Sequence, residues 1–117
     1  MKRSKNVPGF GPSRLFASLL VALVLGVFNA NAWAQMELAK AKHCLSCHAL
    51  DKKVVGPSYL DVASKYAKDP LAKDRLAQKI MKGGSGVWGV IPMPANPQVS
   101  PEEAQTLAAW VLQVKSP

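Results

Sequence analysis

The chain's two cysteines fall in the run Cys44-Leu45-Ser46-Cys47-His48. Two thiols separated by two residues, with an imidazole directly behind them, suit one chemistry in particular. Each thiol adds across a vinyl group on one edge of a porphyrin, and the histidine binds the iron, so C-x-x-C-H reads as the attachment signature of a c-type haem. Three other uses of these residues fit less well. A thioredoxin-like redox pair needs a βαβ setting, and nothing in the sequence reads as a parallel sheet. A zinc site could recruit His43, Cys44, Cys47 and His48, but tetrahedral sites usually draw a second ligand pair from a distant segment. A Cys44–Cys47 disulfide is permissible in an exported protein, yet it closes too short a loop to stabilise much.

A haem held by His48 alone leaves one axial position open, and Ile91-Pro92-Met93-Pro94 offers a second ligand. The prolines stiffen the backbone on either side of a thioether, which lowers the entropy lost in holding a weakly binding sulfur on iron. Met93 is the expected sixth ligand. Met36 lies just before the cysteine motif, Met81 sits mid-helix where core packing is the usual role, and Met1 leaves with the leader. His43 adjoins Cys44 too closely to reach the opposite face. His/Met ligation raises the reduction potential and fills both axial positions, which implies electron transfer rather than oxygen chemistry or enzymatic catalysis. The alternative is a five-coordinate haem sensor or peroxidase-like enzyme, in which Met93 is an ordinary loop residue.

The elements that must position these groups occupy residues 35–117. Residues 1–34 read as a cleaved signal peptide. Lys2, Arg3, Lys5 and Arg14 form a basic start, Leu15 to Phe28 is an apolar run too short to span a bilayer comfortably, and Asn29 to Ala34 offers small residues for cleavage after Ala34 or, second, after Ala32. The competing reading is an uncleaved membrane anchor. The remainder is one small domain that gains from a bound group to pack on. The formal net charge of +8 overstates the mature surface, because four basic residues depart with the leader. The remaining lysines are scattered, without a basic stripe or interleaved aromatics, which argues against nucleic-acid binding. A mildly cationic face for steering an acidic partner fits better.

Four short helices and no strand can be read. Met36 to Cys44 is helix-favouring and delivers the cysteine motif at its end. Ser58 caps a segment carrying Leu60, Ala63, Tyr66 and Ala67 at helical spacing. Asp69 as N-cap with Pro70 at the first helical position starts a third helix, which Gly83-Gly84 ends. Ser100-Pro101-Glu102-Glu103 is a capping box, followed by Ala104, Leu107, Ala108, Val111 and Leu112 as a core-facing stripe. The long Gly- and Pro-rich stretch from Gly83 to Pro101 is the kind of loop that persists only with a function.

With Cys44, Cys47 and His48 followed in order by Val55-Gly56-Pro57-Ser58-Tyr59, Gly86-Val87-Trp88-Gly89, Ile91-Pro92-Met93-Pro94 and Glu103-Ala104-Gln105-Thr106-Leu107-Ala108, the chain resembles the class I cytochromes c. The small bacterial c-551/c-552 group is the nearest in pattern. The resemblance covers essentially all of residues 35–117 and implies an all-α fold, about four short helices wrapped around one covalently attached haem. It also implies site roles: Pro57 offers its carbonyl to His48 Nδ1–H, Trp88 turns its indole N–H to a haem propionate, Lys79 lies near a propionate, and Asn96 orients the Met93 sulfur through its amide. Two departures stand out. His43 stands where a glycine is common before the first cysteine, and Ala39 where an aromatic is common as the first helix crosses the last, so the crossing is expected to be wider or differently packed, with Trp110 as a core residue that could fill the space.

The function this implies is a monomeric periplasmic carrier with no membrane span once mature. It would pass single electrons from a quinol-oxidising complex to a terminal reductase or oxidase, for example a nitrite reductase or a cytochrome oxidase. A fixed cytochrome subunit of a larger complex is the alternative arrangement.

Overall fold

Four α-helices are present among the described residues, 31–116 of a computed structural model, together with one 3-10 turn and no strand. All but the last four residues of the expected leader, 1–34, lie outside the described residues. Within the described residues helix α1 covers 31–41, so the chain is already helical before the expected Met36 and the helix stops short of Cys44. Asn31-Ala32-Trp33-Ala34-Gln35 are part of it, and their alanines favour the helix. Its end is set by His43, whose φ of 63° and ψ of 17° lie in the left-handed region. That conformation reverses the chain after α1, in the way a terminal glycine usually does. The cysteine motif therefore begins on a separate 3-10 turn, Cys44–Ser46.

Helix α2, Tyr59–Tyr66, begins as expected at Ser58, whose hydroxyl accepts the Asp61 N–H at 3.0 Å and donates to the Asp61 carboxylate at 2.7 Å. Helix α3, Ala72–Lys82, starts three residues beyond Asp69 rather than directly after it. Asp69 Oδ1 accepts the Leu71 N–H at 2.9 Å, an Asx-type turn that satisfies the backbone before the helix begins. Gly83 ends α3 at φ 68°. Helix α4, Pro101–Val111, carries the full capping box: Ser100 Oγ accepts from Glu103 N–H, and Glu103 accepts from Ser100 N–H.

The core is built from small residues. Ala39, Ala104 and Ala108 are fully buried, and Ala77, Tyr59, Val62, Val99, Leu107, Trp110 and Val111 complete the cluster. Ala39 is completely buried in the same cluster as Ala104, Leu107 and Ala108 of α4. Trp110 is a core residue, as anticipated, but its partner is Tyr59, met edge-on at a ring-centroid distance of 5.3 Å. Beyond α3 the chain makes a loop pinned at its base by reciprocal backbone bonds between Gly84 and Met93, both 2.9 Å.

Candidate functional site

The 3-10 turn is tight: the N–H groups of Cys47 and His48 both donate to the Cys44 carbonyl, at 3.2 and 3.1 Å. Both sulfurs, which are unbridged, and the imidazole thereby face one cavity of about 590 Å³. Its walls include Val55, Leu76, Ile80, Leu107 and Val111, with Lys53 and Lys79 among the polar lining. Of the residues expected to act, Cys44, Cys47, His48, Pro57, Lys79, Trp88 and Met93 all line it.

His48 Nδ1 lies 2.7 Å from the Pro57 carbonyl oxygen. A carbonyl can only accept, so Nδ1 carries the proton and Nε2 keeps its lone pair for a metal. The ring also stacks on Tyr59, 5.3 Å between centroids and 17° from parallel. Gly56 contributes something that sequence reasoning passed over. A Cβ there would lie 2.9 Å from His48 Nδ1 and 3.0 Å from Nε2, and would overlap Cε1. Glycine is thus required for the imidazole to sit where it does, and its place directly before Pro57 was the available signal.

Met93 is held by its pairing with Gly84, and a side chain on Gly83 would collide with the Met93 carbonyl. Lys79 reaches the same place, since a Cβ on Gly84 would lie 2.7 Å from its Nζ. Trp88 is partly exposed, with Lys65 Nζ 5.2 Å from its ring centroid, a cation–π distance. Asn96 departs from expectation. Its amide nitrogen donates to the carbonyls of Ile80 at 2.9 Å and Pro94 at 3.2 Å, in place of the expected contact with the Met93 sulfur. Both amide hydrogens are committed to backbone, so Asn96 shapes the loop that bears Met93. Burial pushes the Cys44 thiol above its ordinary value, and burial followed by the nearby Cys44 does the same to Tyr59.

An apolar cavity with two thiols, a tautomer-fixed imidazole and a thioether on its walls fits a flat macrocyclic iron cofactor, with lysines available to its carboxylates. Such a set inside an all-α shell defines a c-type haem protein. Comparison with known proteins agrees. Residues 36–115 match the family model for cytochrome c. The chain is 52% identical to cytochrome c-551 of Pseudomonas aeruginosa over 101 residues, covering 84% of this chain and 96% of that protein. It is 54% identical to cytochrome c-552 of Hydrogenobacter thermophilus over 99 residues, 83% of this chain and 96% of the relative. The crystal structure of Nitrosomonas europaea cytochrome c552 superposes with a TM-score of 0.67 at 50% identity, covering 68% of this chain and 99% of the other.

The chain therefore belongs to the cytochrome c family, as a class I, c-551/c-552-like member: a small electron-transfer protein with covalently attached haem c.

Proposed function

We propose that this chain is an exported, monomeric periplasmic carrier. It takes one electron at a time from a quinol-oxidising complex and delivers it to a terminal reductase or oxidase, such as a nitrite reductase or a cytochrome oxidase. The observation that carries the reading is the sharing of one apolar cavity by Cys44, Cys47, His48 with its Pro57 bond, and Met93 on its braced loop. Haem c, when bound, supplies reversible one-electron exchange at its iron.

Each protein group then has a defined task. Cys44 and Cys47 hold the macrocycle by thioether bonds. His48 presents Nε2 to the iron while Pro57 fixes its tautomer and raises its basicity. Met93 would supply a thioether sulfur to the iron, kept in reach by Pro92, Pro94 and the Gly84 pairing. Trp88 and Lys79 would hold the propionates. His48 and Met93 would both stay in place when an electron moves, so little of the protein would rearrange on transfer. No helix among the described residues is long and apolar enough to cross a membrane, which is compatible with a diffusing carrier released from its leader.

The test is expression in a host competent in cytochrome maturation, followed by cell fractionation, intact mass and visible spectroscopy. A periplasmic red protein beginning at Gln35, with a red-edge thioether–iron band lost in Met93→Ala, is expected. A colourless product overturns the haem reading. An unchanged band in Met93→Ala, or rapid carbon monoxide binding by the reduced wild type, overturns the Met93 assignment.

A further inference from the structure

We propose that Lys42 and Gln98 form a clasp that positions the Met93 loop against the helix leading into Cys44; the inference rests on Met93 being the second iron ligand. Lys42 Nζ donates to the Gln98 carbonyl at 2.8 Å, and Gln98 Nε2 returns a longer bond to the Lys42 carbonyl at 3.4 Å. The same Nε2 donates to Asn96 Oδ1 at 3.1 Å. Asn96 in turn holds the carbonyl of Pro94, the residue next to Met93.

Lys42 is itself anchored. Its ammonium pairs with Glu103 at 2.8 Å, and the carboxylate oxygen involved also accepts the Ser100 N–H at 2.9 Å. A continuous set of contacts thus runs from the start of α4, through the end of α1 two residues before Cys44, to the backbone beside Met93. The other restraints on the loop, Gly84 with Met93 and Asn96 with Ile80, tie it to α3 and its cap. The clasp is the part that ties it to α1, and so fixes the sulfur relative to the segment that holds the macrocycle.

The consequence follows from the weakness of a neutral thioether as ligand. An added ligand can occupy the iron only while the loop is open, so its apparent affinity scales with the open fraction. Removing one exposed hydrogen bond shifts such an equilibrium by about two- to tenfold. Gln98→Ala removes both Nε2 bonds, and Lys42→Met removes the ammonium while keeping the stem. Gln105→Ala serves as control, because its 2.9 Å bond to Asp74 joins α4 to α3 away from the loop.

The experiment titrates the oxidised holoprotein with imidazole and follows loss of the thioether–iron band. Gln98→Ala and Lys42→Met are expected to bind imidazole about two- to tenfold more tightly than wild type, with Gln105→Ala unchanged. Wild-type imidazole affinity in both clasp variants, while Met93→Ala abolishes the band, overturns the clasp alone. An equal shift in Gln105→Ala also overturns it, by assigning the effect to general loosening. Retention of the band in Met93→Ala overturns the ligand assignment and the clasp together.

Discussion

Gly56→Ala adds one methyl group against the imidazole on which the site depends. The new Cβ would sit 2.9 Å from Nδ1 and 3.0 Å from Nε2 of His48, where ordinary contact begins near 3.4 Å. The backbone at residue 56 has little freedom to retreat, since its N–H donates to the Cys47 carbonyl at 2.8 Å. The ring must therefore move, away from the Pro57 carbonyl and out of its stacked contact with buried Tyr59. Overpacking of this kind costs about 1–3 kcal/mol, and a lost hydrogen bond adds about 0.5–1.5 kcal/mol. In a domain of this size, the two together, about 1.5–4.5 kcal/mol, correspond to a fall of about 6–36 °C in thermal midpoint. Circular dichroism melting of the holoprotein measures this. Voltammetry supplies a second readout: a less basic imidazole stabilises the oxidised iron less, so the reduction potential rises. A variant that melts like wild type with an unshifted potential would refute the claim that Gly56 clears space for the ligand.

Two further predictions follow from the caps. His43→Gly relieves a left-handed residue, worth about 1–2 kcal/mol, against the greater chain entropy of glycine, about 0.5–1 kcal/mol. The thermal midpoint should rise by a few degrees, and His43→Ala should give no such gain. Glu103 has a carboxyl held below its ordinary value, first by the Lys42 hydrogen bond and then by the Ser100 N–H. Its stabilisation is complete above the unfolded value of 4.5 and disappears as pH falls through the lower folded value. Melting between pH 6 and pH 3 should show a shallower decline for Glu103→Gln, starting from a lower midpoint.

What the sequence made legible follows how local each determinant is. The α4 capping box is satisfied within four residues, so Ser100 and Glu103 announce it directly. The same holds for Ser58 at α2 and Gly83 at the end of α3. Asp69 misled by two residues, because its carboxylate has two uses within reach, capping a helix or closing an Asx turn, and the turn won. The end of α1 was harder still: histidine is a far weaker left-handed signal than glycine, and only its replacement of a usual glycine hinted at the conformation. Asn96 shows the limit. Proximity to Met93 follows from spacing, but the acceptor it takes, the Ile80 carbonyl on another helix, exists only in the folded chain. The Lys42–Gln98 pair, 56 residues apart, could be found only in three dimensions.

The composition of the core bears on what the bound group contributes to folding. The buried apolar set holds six alanines and three valines, with Tyr59, Leu107 and Trp110 as its larger members. Side chains this small release little free energy on burial, at about 25 cal/mol per Å², and the cavity of about 590 Å³ adjoins them. Much of the apolar surface that would drive folding is therefore directed at the cavity rather than at other side chains. A Cys44→Ala/Cys47→Ala chain, made without haem, is expected to lose cooperative melting and near-ultraviolet dichroism while keeping some helix. If that double variant instead melted as sharply as the holoprotein and at the same temperature, the helices would be shown to close a core of their own, and the cavity would be a consequence of the fold rather than its centre.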